Sequence, residues 1–251
     1  MTPSRPAASW VTRLPWLAAV GFALVPVLFT AVASAVAQIT AAGESSSALL
    51  IAVGAALSAA VGIIVMRISP PSLRDYGFRA PSKLRSVWWF VPPILTLPII
   101  AATAGIHVSA PTLLAYAALA IAVGVNEEVW FRGVVLAVLR PHGARVAIVG
   151  TSLLFGILHL VNLLAGESLA VAGLQLAFAV LFGVVAAELA VRTGSLWPAI
   201  VWHAAWDFLN FAGGNSTSPL ALSGIGVCCV LLLVYALMLW RGVDRFEGPV
   251  A

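Results

Sequence analysis

The sequence predicts an all-α bundle of eight membrane-spanning helices, and three features support this prediction. Hydrophobic residues make up 62% of the 251 residues and charged residues only 9%, whereas a soluble domain is typically about 25% charged. The hydrophobic residues form eight runs, most of them close to the ~20 residues that a helix needs to cross a bilayer. The connections between the runs are alternately basic and non-basic, as expected if they face opposite sides of a membrane.

The eight runs lie at residues 14–37, 48–66, 87–105, 112–138, 146–164, 170–191, 196–212 and 219–240. The first run is longer than the roughly 7–15 apolar residues of a signal peptide, so we expect an uncleaved anchor, although Ala35-Val36-Ala37 resembles a cleavage site. The seventh run is short and contains polar residues, which favours a helix buried within the bundle. We interpret residues 1–251 as one integral membrane domain.

Basic residues mark every second connection. These connections carry Arg5 and Arg13; five residues of the 67–86 loop; Arg140 and Arg145; Arg192; and Arg241 and Arg245. Because cytoplasmic loops are enriched in Lys and Arg, the alternation predicts a plasma-membrane protein with both termini in the cytoplasm. The net charge of +4 is explained by these membrane flanks, so we expect no nucleic-acid partner.

Two other groups within the runs are interpreted as structural. Cys228 and Cys229 are neighbours in an apolar run, where they form neither a disulfide framework nor a metal site, and we expect them to pack in the core. Glu188 lies four residues before Arg192 near a helix end, and this spacing predicts an ion pair at the membrane interface.

Residues 126–132 (Asn-Glu-Glu-Val-Trp-Phe-Arg) place two carboxylates and a guanidinium inside the fourth apolar run. Ionisable groups at membrane depth are costly, rare and usually functional. Glu128 and Arg132 are four residues apart and therefore pair along one helix face. Glu127 points about 100° away and lacks this partner. The stretch predicts one structural and one chemically available carboxylate; the alternative is a charge cluster that only holds helices together.

Two later runs add histidines. Phe155 and His159 are four residues apart in the fifth run, and His203 and Asp207 are four residues apart in the seventh, with Asn210 continuing the same face. At 1.5 Å per residue, Glu127, His159 and His203 lie about 12–20 Å from the predicted cytoplasmic ends of their helices. Three helices are therefore expected to bring ionisable groups to one layer of the membrane.

This set of side chains supports two kinds of chemistry. A carboxylate and an imidazole on separate helices can activate a water, and a second imidazole can stabilise the oxyanion that forms when water attacks a carbonyl group. Two histidines and two glutamates are also acceptable zinc ligands. The residues alone leave both mechanisms open, and no common motif of nucleophilic catalysis is present.

Three motifs, in this order, resemble those of the CAAX-protease and bacteriocin-processing (CPBP, also Abi) family of intramembrane endopeptidases. They are Glu127-Glu128-x-x-x-Arg132, Phe155-x-x-x-His159 and His203-x-x-x-Asp207. The resemblance covers about residues 87–212, with the motifs in a core of about 112–212. It implies a helical membrane protease, similar to type 2 CAAX prenyl endopeptidases, whose cavity opens to the cytoplasm.

The resemblance also implies a role for each motif residue. Glu127 with His159 would activate water, Glu128 would pair with Arg132, and His203 with residue 207 would form the oxyanion site. Members of the family have been described as metalloproteases and as metal-free glutamic proteases. We favour a metal-free site without a cofactor, and a zinc ion would otherwise be bound by Glu127, His159 and His203. Asn210 is expected to support the site structurally.

Asp207 departs from the family pattern, because the prenyl-processing members have Asn at this position. A carboxylate donates a hydrogen bond only when it is protonated, whereas an amide always offers donors. Either Asp207 is protonated and donates to the oxyanion, or it is ionised and orients His203. We favour the second account.

Two other classes of function remain as alternatives. A non-catalytic immunity or scaffold protein of the same family would not need the complete set of catalytic residue types, and a proton-coupled transporter would be expected to show inverted repeats and broken helices. The expected partners are the lipid bilayer and a peptide or protein substrate with a membrane-associated segment. The sequence does not identify that substrate.

Overall fold

The computed structural model describes residues 10–81, 83–166 and 168–243, and every regular element in them is a helix. The principal helices are α1 (Pro15–Ile39), α2 (Glu44–Ile68), α3 (Thr96–Ala104), α4 (Ala110–Glu128), α5 (Ala144–Leu158), α6 (Leu169–Thr193), α7 (Trp197–Ala212) and α8 (Pro219–Trp240). Shorter α-helices span Trp10–Arg13, Val91–Ile94 and Leu136–Leu139, and 3-10 helices span Leu84–Phe90, Arg140–His142 and His159–Ala165. The predicted all-α bundle is confirmed, while Arg5 and Arg245 lie outside the described residues.

Seven of the eight predicted runs are long and apolar enough to cross a membrane, within the part of the chain that the structure describes. The remaining run corresponds to α7, which has 16 residues and packs against α3 and α4. The third run is built from three short helices, and its first junction lies just before Pro92 and Pro93, which lack the N–H groups that a continuous helix needs. The chain is therefore an integral membrane protein, and the shortest of its eight apolar runs, α7, packs against other helices of the bundle.

The fourth run has a geometry that the sequence did not predict. After α4 ends at Glu128, residues Val129–Val135 form a π-helix, and the helical run continues to His142. A π-helix is defined by hydrogen bonds between residues five apart, and here the Leu136 N–H donates to the carbonyl oxygen of Phe131. Such segments are rare and occur frequently at functional sites. Here the π-helix follows directly after the two glutamates.

Small residues of α2 allow the π-helix to pack closely. The α-hydrogen side of Gly62 faces Val129 and Trp130, and the Trp130 indole N–H donates to both the carbonyl and the hydroxyl oxygen of Ser58. On the other side, the Thr151 hydroxyl of α5 donates to the Phe131 carbonyl at 2.7 Å. Close helix packing through small residues, together with interhelical hydrogen bonds, is typical of membrane bundles. These contacts hold the π-helix between α2 and α5.

Stacked aromatic rings join α6 to α7. Phe178 stacks on Trp206 with ring centroids 4.1 Å apart, and Phe182 stacks on Trp202 at 4.0 Å. The two pairs are one helical turn apart on each helix. His203 lies beside them, with its ring 4.7 Å from that of Phe182. Aromatic contacts of this kind stabilise the pairing beyond the apolar area that they bury, and they limit how His203 can turn.

The two groups interpreted as structural have different outcomes. Cys228 is buried and free, and its thiol lies 3.8 Å from the Thr96 carbonyl oxygen, as expected for a packed cysteine. Glu188 is also buried, but neither of its carboxylate oxygens has a hydrogen-bond partner. Arg192 instead donates to the Leu239 carbonyl at 3.3 Å. Glu188 and Arg192 therefore do not form the predicted pair through a hydrogen bond, because the Arg192 side chain extends towards α8.

Gly62→Ala is predicted to destabilise the protein, because the added methyl group would lie 2.6 Å from the Val129 side chain. Valine is stiff about its first side-chain torsion, so this clash is not relieved by a simple rotation. We expect the free energy of unfolding to fall by about 1–3 kcal/mol. The matched control is Gly226→Ala in α8, where nothing lies within 4 Å of the added atom.

The measurement is thermal or denaturant unfolding of the purified protein in detergent micelles. Gly226→Ala should leave stability unchanged or raise it by up to about 1 kcal/mol, since alanine favours helix. Equal stability of the two variants would mean that Gly62 does not support the π-helix.

Candidate active site

The three predicted motifs meet around one cavity of about 260 Å³. The α4 helix contributes Glu127, the junction after α5 contributes His159, and α7 contributes His203 and Asp207. The walls are completed by apolar side chains and by α1, which lies along one side. The structure therefore brings together the titratable residues that the sequence placed in one layer of the membrane.

Glu128 is completely buried and joins two of the motifs. Its Oε1 atom accepts hydrogen bonds from Arg132 Nη1 and from His203 Nδ1, each at 2.8 Å. The pair with Arg132 was predicted from the four-residue spacing. The contact with His203 was not, because it joins residues 75 positions apart in the sequence. Since a carboxylate oxygen accepts, His203 Nδ1 carries a proton in this arrangement.

Glu127 faces the cavity, as its position on the helix predicted. Its side chain is 21% exposed, and its Oε2 atom lies 3.5 Å from His203 Nε2. The adjacent Glu128 side chain is 0% exposed. The two neighbouring carboxylates thus occupy different environments. Glu128 forms a buried ion pair, and Glu127 borders the cavity where a substrate or water would bind.

The environment of His159 determines which ring nitrogen carries its proton. His159 Nδ1 lies 2.8 Å from the Phe155 carbonyl oxygen, one turn earlier on α5. A carbonyl only accepts hydrogen bonds, so Nδ1 donates, and in the neutral ring Nε2 then has a free lone pair. His159 borders the same cavity as Glu127. Its Nε2 atom is therefore suited to accept a hydrogen bond from water.

Asp207 lies at ion-pair distance from His203, as its four-residue spacing predicted, but it does not hydrogen-bond to the imidazole. Its Oδ2 atom lies 3.7 Å from His203 Nε2, which is longer than a hydrogen bond, and it borders the cavity beside Glu127. Glu128, rather than Asp207, makes the short contact that orients the imidazole. Asn210 donates to the Trp206 carbonyl at 2.9 Å, so it stabilises its own helix.

Phe155 contacts residues from all three motifs. The Arg132 guanidinium lies over its ring at 4.3 Å, a cation–π contact, and the rings of His159 and His203 approach it edge-on at 4.7 and 5.9 Å. Arg132 Nε and Nη2 have no hydrogen-bond partner. The aromatic faces of Phe155 and, at 5.7 Å, of Phe182 therefore stabilise this buried cation beside the Glu128 carboxylate.

Two polar residues that line the cavity were not predicted from the sequence. Gln175 of α6 and Thr30 of α1 border the cavity. Gln175 is the only amide side chain in residues 170–191. An isolated amide within an apolar run could have marked Gln175 as a functional residue. Thr30 could not be recognised in this way, because a threonine hydroxyl in a membrane helix commonly donates to a carbonyl of its own helix, here that of Pro26.

The residues present do not form a metal site in this geometry. Among the residues that the structure describes, no group of three or more His, Cys, Asp and Glu side chains is arranged to hold a metal ion. Glu127, His159 and His203, the set named for zinc, line the cavity without converging on one point.

Comparison with known protein families gives one match. Residues 109–209 match the family described as type II CAAX prenyl endopeptidase, Rce1-like. This stretch includes all three motifs and confirms the resemblance over those residues. No curated protein matches the chain.

Glu128→Gln is predicted to destabilise the fold as well as the site. The amide would leave Arg132 as a buried cation without its counter-charge, and removing one partner of a buried pair typically costs about 3–5 kcal/mol. We expect a lower unfolding midpoint in detergent and less protein in the membrane. The control is Glu44→Gln, because Glu44 is exposed and accepts a single hydrogen bond, from Tyr116. Equal losses in both variants would contradict the buried role of Glu128.

Proposed function

We propose that this chain, whose residues 109–209 match the Rce1-like family of type II CAAX prenyl endopeptidases, is a membrane endopeptidase that hydrolyses a peptide bond with an activated water. The proposal is supported above all by one observation. Glu127, His159 and His203 border a single cavity, and the neighbouring Glu128 fixes the orientation of His203. The family supplies the reaction class, and the cavity supplies groups suited to it.

Glu127 is the proposed general base. It takes a proton from a water that also donates a hydrogen bond to His159 Nε2, and the water oxygen forms a bond to the carbonyl carbon of the substrate. When the C–N bond breaks, the proton held by Glu127 passes to the leaving amine. No covalent enzyme intermediate is needed, in keeping with the absence of a nucleophile motif in the sequence.

His203 is the proposed oxyanion donor. With Nδ1–H bound to Glu128, a protonated His203 presents Nε2–H to the cavity, where negative charge develops on the carbonyl oxygen. Glu127 Oε2 and Asp207 Oδ2 lie 3.5 and 3.7 Å from this nitrogen. Glu128 and Arg132 act as positioning residues, since they are buried beneath the cavity and do not line it.

Glu127→Gln is predicted to abolish hydrolysis without unfolding the protein, because an amide does not take a proton from water. We expect a loss of at least about 10²-fold in kcat/KM, measured on a quenched-fluorescent peptide library with purified protein in proteoliposomes. Glu44→Gln is the control and should retain full activity. A folded Glu127→Gln protein with wild-type turnover would remove the proposed base. Wild-type protein that never cleaves would favour the non-catalytic scaffold.

Asp207→Asn is predicted to keep kcat/KM within about tenfold of the wild type, because Glu128 holds His203 and the new amide offers a donor to the oxyanion. Asp207→Leu has similar size but no donor, and it should lose more activity. A pH–rate profile should show no new dependence in Asp207→Asn. A loss of about 10²-fold or more in this variant would show that the negative charge of Asp207 is required.

We also propose that the reaction needs no metal. Activity is expected to survive prolonged treatment with a strong chelator, and elemental analysis of gently purified protein should find zinc far below one ion per chain. Zinc at one ion per chain, removed together with activity and restored with it, would replace the metal-free mechanism with zinc-assisted hydrolysis.

A further inference from the structure

A second concave surface lies on the outside of the bundle, apart from the candidate active site. It is an open groove of about 430 Å³ between α1, α5 and the end of α8. Among the described residues, none lines both this groove and the cavity that Glu127 borders. We call it the α5 groove, and its lining includes Trp16 of α1, Trp240 of α8 and a stripe of four α5 residues, namely Val146, Val149, Leu153 and Ile157.

The apolar stripe follows from the sequence of α5. Its four residues are three or four positions apart, so they lie along one face of the helix. Each of them is 40–52% exposed. Phe155 is two residues from both Leu153 and Ile157, so it points to the opposite side, where it lines the active-site cavity. One face of α5 therefore builds the candidate active site, and the other faces the lipid.

Gly150 shapes one wall of the groove. A Cβ atom added at this position would lie 2.9 Å from two ring atoms of Trp16 and 2.7 Å from the Leu139 side chain. The lack of a side chain on Gly150 therefore lets the indole ring lie directly against α5. The ring is still 48% exposed, so it stands beside the stripe as a wall of the groove.

The stripe is as long as one leaflet of a bilayer. At 1.5 Å per residue, the distance along the helix from Val146 to Ile157 is about 16 Å. Half of the hydrocarbon layer is about 15 Å thick. The stripe begins where α5 begins, at the end of the bundle, and it finishes in the last turn of the helix. The groove therefore matches the acyl chain of a phospholipid in that leaflet.

Positive charge is concentrated at the outer end of the groove, where α5 begins. Arg145 lines the groove there, and its guanidinium lies over the Trp240 ring, 5.4 Å from the ring centroid. Arg13 precedes Trp16 by three residues and Arg241 follows Trp240 directly, and both arginines are exposed. The helices α1, α5 and α8 contain no Asp or Glu. Each segment that forms the groove therefore brings an arginine to the same end.

We propose that the α5 groove binds one anionic phospholipid, with its phosphate at Arg145 and an acyl chain along the stripe from Val146 to Ile157. A guanidinium group matches phosphate oxygens in geometry and charge, and basic pockets between membrane helices suit anionic headgroups. The two tryptophans lie at the end of the bundle, where indole rings favour the boundary between headgroups and chains. This inference is independent of the proposed protease activity.

The combination of features favours a lipid over a protein partner. A partner helix or a second copy of this chain would cover the stripe, but its apolar face would offer no anion to the arginines at the outer end. A phospholipid supplies an anion and an apolar chain one leaflet long in a single molecule. A zwitterionic phospholipid has the same chains, but its cationic group offsets the phosphate charge, so it should bind more weakly.

The test titrates purified, delipidated full-length protein in detergent with phosphatidylglycerol, and native mass spectrometry counts the bound lipids. Phosphatidylcholine with the same acyl chains is the matched comparison. We expect one phosphatidylglycerol per chain, bound about fivefold more tightly than phosphatidylcholine, which is the effect expected of one arginine near an anionic headgroup.

Two variants separate the headgroup contact from the chain contact. Arg145→Gln should weaken phosphatidylglycerol binding about fivefold, to the level of phosphatidylcholine, whereas Arg145→Lys keeps the charge and most of the affinity. Val149→Phe fills the groove and should weaken the binding of both lipids. The controls are Arg67→Gln at the end of α2 and Val230→Phe on α8, two exposed positions outside the groove. Both controls should stay within about twofold of the wild type.

Four results would overturn the proposal. Equal affinity of the wild type for the two lipids, or equal losses in Arg145→Gln and Arg67→Gln, would remove the headgroup contact. Wild-type affinity in a folded Val149→Phe protein would remove the chain contact. Displacement of phosphatidylglycerol by excess glycerol 3-phosphate, which has no chains, would indicate a site for a free anion. If Arg145→Gln does not fold, the comparison of the two lipids on the wild type and on Val149→Phe still decides the proposal.

Discussion

The Glu128 carboxylate is the contact on which the rest of the site depends. One oxygen accepts from Arg132 within its own helical run and from His203 on α7, with no solvent exposure. A buried charge is tolerated only when it is paired and hydrogen-bonded. Removing any one of the three side chains therefore leaves a buried partner unpaired, which destabilises the folded protein. Phe155 adds the face of its ring to Arg132. The same cluster therefore holds two helices together and orients the histidine that faces the cavity.

The helices could be predicted from hydropathy because a membrane imposes length and apolarity on every span. The run at 219–240 coincides with α8, and the first run at 14–37 differs from α1 (Pro15–Ile39) by a few residues. Hydropathy carries no information on hydrogen-bond pattern, so neither the π-helix nor the division of the third run followed from it. The predicted Glu188–Arg192 pair failed for a similar reason: spacing along a helix allows a contact, and tertiary neighbours decide which contact forms.

The site was predictable where its geometry is local. Helical geometry predicts that Glu128 pairs with Arg132 and that Glu127 points away from this pair. Both features are present, and Glu127 faces the cavity. The bond from His203 to Glu128 depends on how α4 and α7 pack, which spacing does not reveal. Asp207 illustrates the same limit, because its four-residue distance from His203 suggested a hydrogen bond, yet the imidazole nitrogen that it approaches is 3.7 Å away.

The π-helix has a consequence for the evolution of this helical run. A π-turn holds one more residue than an α-turn over the same rise, so it behaves as a one-residue insertion that the flanking helix has absorbed. Loss of a residue from its end, at Val134 or Val135, would let the run return to α geometry while the spacing from Glu127 to Arg132 stays intact. Loss of Val129, Trp130 or Phe131 would instead shorten the spacing from Glu128 to Arg132 to three residues, so the guanidinium would approach the carboxylate from a different direction. We therefore expect a change of length to disturb the ion pair less after Arg132 than between Glu128 and Arg132.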